Sequence, residues 1–285
     1  MTTNLRRATA NDAATCAAIC HSAFKSISER HNFPPDFPTV EPAEQLMAML
    51  LSRSDIYAVV AEQDGKVIGS NFLWETAPVA GVGPITVDPA AQDGSVGRRL
   101  MEEVLRRGRE RGFSGIRLVQ AGYHARSLSL YAKLGFEVRE HLVTLQGPTI
   151  GQAVPGRIVR PAVRDDVEPC ARLHTRLHGF ARERDLRDAI EQGTARVVEQ
   201  GGRLAGYATA IGFFGHAVGE TNEDMQALIA AAPEFPGPGF MLPTRNGELF
   251  RWCLARGLRV VQPMTLMSLG VYKEPAGAWL PSILF

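Results

Sequence analysis

The sequence predicts an α/β (α+β) protein built as two tandem mixed-sheet domains with flanking helices. Three observations lead there. The chain has 285 residues, enough for two domains at roughly 100–200 residues each, and its 45% apolar and 21% charged residues are those of an ordinary globular protein. Strand-like and helix-like stretches alternate, as they do in layered folds of helices on a sheet. A Gly- and Pro-rich stretch without periodicity, QGPTIGQAVPGR over residues 146–157, divides the chain near its middle. The domains expected on this basis are 1–147 and 157–285, with a linker over 148–156.

In the first half, residues 11–24 and 42–51 carry apolar positions at helical spacing, and strands follow near 56–61 and 66–74. A strand over 82–87 runs through Asp88-Pro89 and a Gly-containing loop into a helix over 96–111. Then come a strand over 116–120, a helix over 125–134 stopped by Gly135, and final strands through Leu145.

The second half repeats parts of this plan. Arg6, Ala8, Asp12, Cys16 and Ala17 fall on Arg160, Ala162, Asp166, Cys170 and Ala171. VAEQDGKVIG, ending at Gly69, falls on VVEQGGRLAG, ending at Gly206; each reads as a hairpin with a two-residue turn. The helix ending in Arg111-Gly112 falls on one ending in Arg256-Gly257, with Gly as the stop. A helix over 222–232, introduced by the N-terminal signals of TNED, has no counterpart in the first half on this reading.

Composition excludes several classes. Thirty-one Lys plus Arg against 30 Asp plus Glu leave a net charge of +1, too balanced for a dedicated nucleic-acid binder. No apolar run reaches the roughly 18 residues that span a bilayer, and the N-terminus lacks a signal-peptide core. Cys16, Cys20, Cys170 and Cys253 form no CxxC and no zinc-ligand spacing, so they read as buried free thiols in a reducing compartment. The expectation is a cytoplasmic protein, monomer or homodimer, with no metal, no nucleic acid and no membrane partner.

Two segments could carry chemistry. VDPAAQDGSVGRRL over residues 87–100 takes a strand into a helix through small residues, leaving the first helical N–H groups aimed at one place where the macrodipole favours an anion. It has no Gly-Lys-Ser/Thr, so it is not a Walker loop. In HARSLSLYAKLGF over residues 124–136, Leu128, Tyr131 and Leu134 share a helix face.

Taken together, Val87-x-Pro89-x-x-Gln92-x-x-Ser95-x-Gly97, a helix, a strand and Leu-Tyr-x-Lys-x-Gly-Phe resemble the acyl-CoA site of the GNAT N-acetyltransferase superfamily over residues 4–145. The resemblance implies that the CoA pyrophosphate sits on the loop Gln92, Asp93, Gly94, Ser95, Val96, Gly97 and Arg98. It implies that pantetheine pairs as an added strand with Ile85, Thr86 and Val87, with further contacts from His124 and Ser127. Tyr131 would protonate the leaving thiolate while the Val87 N–H faces the developing oxyanion, the two aids that aminolysis of a thioester needs. Ser95 stands where the family has its first loop Gly, Asp93 adds a carboxylate that Arg98 and Arg99 offset, and His124 replaces the usual Asn.

The attacking ammonium must first lose a proton; Glu75 is the expected base and Asp88 the alternative. His21, Glu29, His31 and Asp36, on the first helix and the Pro-rich loop after it, lie on the side that lines the acceptor in this family. At residues 236–250, PGPGFMLPTRNGELF has no Gln-x-x-Gly-x-Gly, and residues 272–285 lack the Leu-Tyr helix, so the second, GNAT-like half is expected to bind no CoA. The expected function is transfer of acetyl from acetyl-CoA to a primary amine, on a small molecule, by direct attack in a ternary complex. The alternative is a non-catalytic GNAT-like binding or regulatory module.

Overall fold

The structure is a computed structural model and describes residues 3–76, 78–92 and 94–284. Packing gathers the chain into two compact units. The first runs to Glu137 and takes in Met267–Val271 and Leu284; the second comprises Val138–Leu266 and Tyr272–Ile283. These units are not cut at the linker as the sequence suggests, because strands near each cut pair with elements remote in sequence.

The first unit is built from β1 (Asn4–Arg7), α1 (Ala13–Arg30), α2 (Glu41–Ser52), β2 (Ile56–Gln63), β3 (Lys66–Trp74), β4 (Val79–Val82), β5 (Thr86–Val87), α3 (Val96–Glu110), β6 (Gly115–Ala121) and α4 (Ala125–Lys133). Its sheet runs β1-β2-β3-β4-β6, antiparallel except for the parallel pair β4 and β6. Alternate strand residues feed two cores. On one face Val59, Leu73 and Leu118 pack with Leu100, Val104 and Tyr131 of α3 and α4. On the other, Val60, Phe72 and Trp74 pack with Cys16 and Met47 of α1 and α2. The strand expected over 82–87 is instead two pieces, since Pro84 has no N–H to continue a ladder.

The second unit contains β7 (Glu137–Gln146) from its second residue on, β8 (Ile158–Pro161), α5 (Val167–His178), α6 (Glu183–Glu191), β9 (Arg196–Gln200), β10 (Arg203–Ala208), β11 (Ala217–Gly219), α7 (Asn222–Ala230), β12 (Phe240–Pro243), α8 (Gly247–Leu254), most of β13 (Arg259–Gly270) and β14 (Ala278–Leu280). One sheet runs β14-β11-β10-β9-β8, and β7 lies between β12 and β13. The end of β13, residues 267–270, belongs to the first unit and lies beside β6.

The repeated sequence is a repeated structure. Arg6 grips Asp12 through two nitrogens at 2.8–2.9 Å and Arg160 grips Asp166 at 2.7–2.8 Å. Each aspartate also accepts the N–H three residues before it. The Arg6 guanidinium holds the Asp12 carboxyl down at about 2. Gly69 and Gly206 are required for one reason: a Cβ would meet Thr86 O at 2.8 Å in one unit and Val218 O at 2.7 Å in the other.

Register corrects the correspondence expected for the later elements. Asp88 N–H donates to Ile68 O and Glu220 N–H to Ala205 O, so β11 is the counterpart of β5 and α7, which follows it, of α3. The helix at 222–230 therefore does have a partner in the first half. At the other helices, Phe136 N–H returns to Tyr131 O and Gly135 N–H to Ala132 O, while Leu258 N–H returns to Cys253 O and Gly257 N–H to Leu254 O. Thus α8 matches α4, not α3. Gly-stopped helices look alike in sequence wherever they fall; only the bonds before and after them show which is which.

Candidate active site

The first unit opens a wedge in its sheet. β4 and β6 pair from Val79↔Gly115 to Gly81↔Arg117, after which β5 stays with β3 through Ser70↔Thr86 and Gly69↔Val87. Because Asp88 N–H is turned to Ile68 O, ladder alternation turns the Val87 N–H and C=O to the opposite edge. The Val87 carbonyl there accepts a long 3.4 Å bond from Gln92 Nε2. Thr86 is buried with its hydroxyl 3.3 Å from that of Ser70, and Ile85 and Val87 are half-buried against the α3 core.

Beyond that edge, residues 88–95 lead into α3. Ser95, at φ 62°, takes the left-handed conformation that Gly adopts more readily, and its own side chain makes no capping bond to the helix. The N–H groups of its first turn, from Val96 onward, are thereby left facing the loop. Gly94 is exposed and Val96 buried, and a Cβ on Gly97 would lie 3.8 Å from Val87 and Leu130 side chains, tying the helix start to β5 and α4. Arg98 is exposed, with Glu102 at 3.9 Å, whereas Arg99 is turned away to Thr3 O at 2.6 Å. Of the two arginines expected to offset Asp93, only Arg98 is left for an anion; Asp93 itself lies outside the described residues.

On α4, His124, Ser127 and Tyr131 form one stripe. His124 Nδ1 is 2.8 Å from Ser127 Oγ, and Tyr131 lies one turn beyond Ser127 on the same face. Tyr131 is 5% exposed; burial pushes its phenol up to about 12. Burial, then the charges of His31, Arg126 and Arg30, press the His124 imidazole down to about 4, so it is neutral at pH 7.

Glu75 is not brought to this stripe. It follows Trp74, at the end of β3 remote from Gly69 and Ser70, and its carboxylate is held by Arg107 at 2.5 Å and Arg111 at 3.4 Å. Two guanidiniums make it a structural anion rather than a base. Asp88 is used as well: it accepts Ala90 N–H at 2.9 Å and caps a short 3-10 turn.

Several residues are visible only in space. Gln120, on β6 past its last pairing with β4, is 6% exposed, and neither end of its amide has a hydrogen-bond partner among the described residues. Its counterpart two residues before Thr244 is Leu242, buried and apolar. Phe33 stacks on Tyr123 at 4.3 Å and His31 lies 5.4 Å from the same ring, so the loop after α1 meets the corner that carries His124. The adjacency of Tyr123 to His124 was the one sequence signal for it. His21 is half-buried with Nε2 unpartnered among the described residues. Glu29 is paired with Lys25, at 3.9 Å.

The second unit lacks this geometry, and the difference lies at residues 217–221 rather than at 236–250. Residues 88–95 shrink to Glu220 and Thr221, and the Thr221 hydroxyl caps α7 while Asp224 accepts the Thr221 N–H. The outer edge of β11 is occupied by β14, in register Ala217↔Leu280, Val218↔Trp279, Gly219↔Ala278. Asn246 stands where the first unit has His124, and buried Cys253 where it has Tyr131. A cleft of about 380 Å³ remains beside Thr221, Arg245 and Trp279, with Arg245 neutralised by Glu140 and Glu274. Among the described residues no helix is long and apolar enough to cross a membrane, and no three His, Cys, Asp or Glu side chains form a metal-sized cluster.

The sequence profile of the acetyltransferase (GNAT) family matches residues 24–136. An IAA acetyltransferase of Azospirillum brasilense is 31% identical over 116 residues, 40% of this chain and 75% of that protein. A mycothiol acetyltransferase of Amycolatopsis mediterranei is 38% identical over 90 residues, 28% of this chain and only 30% of its own length. Among solved structures, a protein of Pyrococcus horikoshii shares the fold over 97% of this chain and 92% of its own, with a TM-score of 0.77 at 18% identity.

Proposed function

Because the chain belongs to the GNAT acetyltransferase family, we propose that its first repeat transfers acetyl from acetyl-CoA to a primary amine by direct attack in a ternary complex. The observation that carries this reading is the contrast between the two copies of one edge. In the first, β5 offers the Val87 N–H beside a helix start that the Ser95 side chain does not cap; in the second, the same edge is paired to β14 and the helix is capped by Thr221.

Acetyl-CoA suits the first edge. Pantetheine amides complete the ladder at Ile85–Val87, and the pyrophosphate takes the N–H groups and the Arg98 charge at the start of α3. The thioester carbonyl then lies at Val87 N–H, which stabilises the oxyanion as the amine adds, and Tyr131 supplies the proton to the departing sulfur. A phenol held near 12 is fully protonated at neutral pH, as an acid must be. The acceptor is a small molecule, since a net charge of +1 gives no steering toward large polyanions, and Phe33, Tyr123 and His31 offer it a flat aromatic wall. The second repeat, a degenerate copy, serves no cofactor.

Calorimetric titration of acetyl-CoA into the full chain tests this, followed by a screen of primary amines for thiol release. One site per chain and amine-dependent release are expected. Two sites would overturn the assignment of the second repeat, and no binding would leave a non-catalytic module as the answer.

Gln120 gives an independent measure. A buried amide with both ends unmet costs about 1–3 kcal/mol, and it faces the same core as Leu118 and Tyr131. Gln120→Leu, the residue of the second repeat, is expected to raise the urea midpoint while weakening acetyl-CoA binding about tenfold. Stabilisation with unchanged affinity would mean the amide touches no cofactor.

A further inference from the structure

We infer that the acceptor amine carries an aromatic ring, which adds to the stack of Phe33 on Tyr123 while the amine reaches the thioester. The inference rests on the first repeat being an amine acetyltransferase, and its test lets the two fail separately.

The wall is fixed by the backbone rather than by the stack alone. After α1, Asn32 takes the left-handed conformation at φ 59°, which Asn adopts more readily than most residues. Asn32 N–H returns to Glu29 O at 3.1 Å and Phe33 N–H to Ser28 O at 2.9 Å, the paired bonds of a Schellman stop. Ser28 is 1% exposed, and its hydroxyl donates to Phe24 O at 2.8 Å. Beyond Phe33, Pro34 and Pro35 hold their φ angles, and Phe37 meets Phe24 edge-on at 5.8 Å. Phe33 is thus aimed from both sides, and its ring lies on Tyr123 at 4.3 Å, 8° from parallel. The exposed His31 ring stands 5.4 Å from Tyr123. Both stacked rings keep part of their surface open to solvent.

Only the first repeat has this wall. Cys16 and Ala17 match Cys170 and Ala171, so α5, which stops at His178 with Gly179 in the left-handed conformation, ends where α1 has Phe24. The last turns of α1 and the stop that aims Phe33 have no equivalent there, and Arg245 stands at the place of Tyr123. The wall accompanies the open edge of β5 and is missing from the copy whose edge is paired to β14.

Its place suits an acceptor. Tyr123 follows β6, the strand that bounds the wedge opposite β5, and α1 packs across β5, so the wall borders the wedge that Val87 faces. Tyr131 lies about 10 Å along α4 from His124, and its side chain leans back toward the wall, as helical side chains do. Flat rings stack offset with centroids about 4.5–7 Å apart, a contact that a puckered ring of the same size does not make. The wall therefore selects for aromaticity rather than for bulk.

The test compares 2-phenylethylamine with 2-cyclohexylethylamine, first as acceptors in thiol release from acetyl-CoA, then by calorimetric binding to the full chain saturated with CoA. The phenyl amine is expected to exceed the cyclohexyl amine about threefold to tenfold in kcat/KM and in affinity. Phe33→Leu keeps an apolar side chain without a flat face; it is expected to bring that ratio close to one, with the acetyl-CoA Kd within about twofold of the parent as the check on folding. Phe33→Trp is expected to keep the preference. Thiol release with the two rings treated alike, or a preference that Phe33→Leu retains, overturns the inference and leaves the transfer standing. Selective binding of the phenyl amine with no thiol release from any amine leaves the wall standing and overturns the transfer. Neither selectivity nor release overturns both.

Discussion

Replacing Tyr131 with Phe is expected to lower kcat for acetyl transfer by about 100-fold or more and to leave the acetyl-CoA Kd within about twofold. The ring is buried among apolar side chains and packs edge-on against Phe136 at 6.2 Å, contacts that Phe keeps. The hydroxyl alone is removed, and with it the proton for sulfur. A thiol with an ordinary pKa near about 8.5 is a tolerable leaving group, which limits the effect and explains why complete loss is not expected. Steady-state kinetics beside calorimetry separate the two quantities. A parallel fall in kcat and affinity would assign Tyr131 to packing, because a group acting only as the thiolate departs contributes nothing to the ground-state complex.

Asp224→Ala is expected to destabilise the second unit by about 3–5 kcal/mol, the usual consequence of leaving one partner of a buried ion pair alone. Asp224 is fully buried and lies 2.5 Å from Arg157 Nε. It also accepts Thr221 N–H at 3.0 Å and the Thr221 hydroxyl at 2.9 Å. Its removal leaves an arginine with an 11% exposed side chain unpaired and opens the capping box of α7. Urea unfolding reads the change directly, and Asp224→Asn, which keeps the cap and removes the charge, is expected to lose less. A loss under about 1 kcal/mol would show that the Arg157 guanidinium reaches water once freed.

How much of this was legible in the sequence follows from the range of each signal. The hairpin turns at Asp64-Gly65 and Gly201-Gly202, the strand at 66–74 and the helix stop at Gly135 are local, and each stands where its residues put it. The loop from Gln92 to Arg98 and the run ending Leu-Tyr-x-Lys-x-Gly-Phe suggested the candidate site of the first repeat for the same reason. Glu75 was misread because a carboxylate just past a strand says nothing of what lies across from it; Arg107 and Arg111 come from a helix more than thirty residues on. Gln120 gave no signal at all, since a single polar residue in a strand is unremarkable until both ends of its amide prove unmet.

The sequence by itself determined the elements, the repetition and the chemistry available to the first repeat, because turn residues, helix caps and apolar spacing act within a few positions of one another. The tertiary structure decided which strand lies beside which: β7 against β12, residues 267–270 against β6, and β14 on the edge of β11. Backbone edges are alike in every strand, so no residue type announces its partner across a hundred positions. That choice is made by the burial of whole faces once the chain has closed, and it is what separates the open edge of β5 from the paired edge of β11.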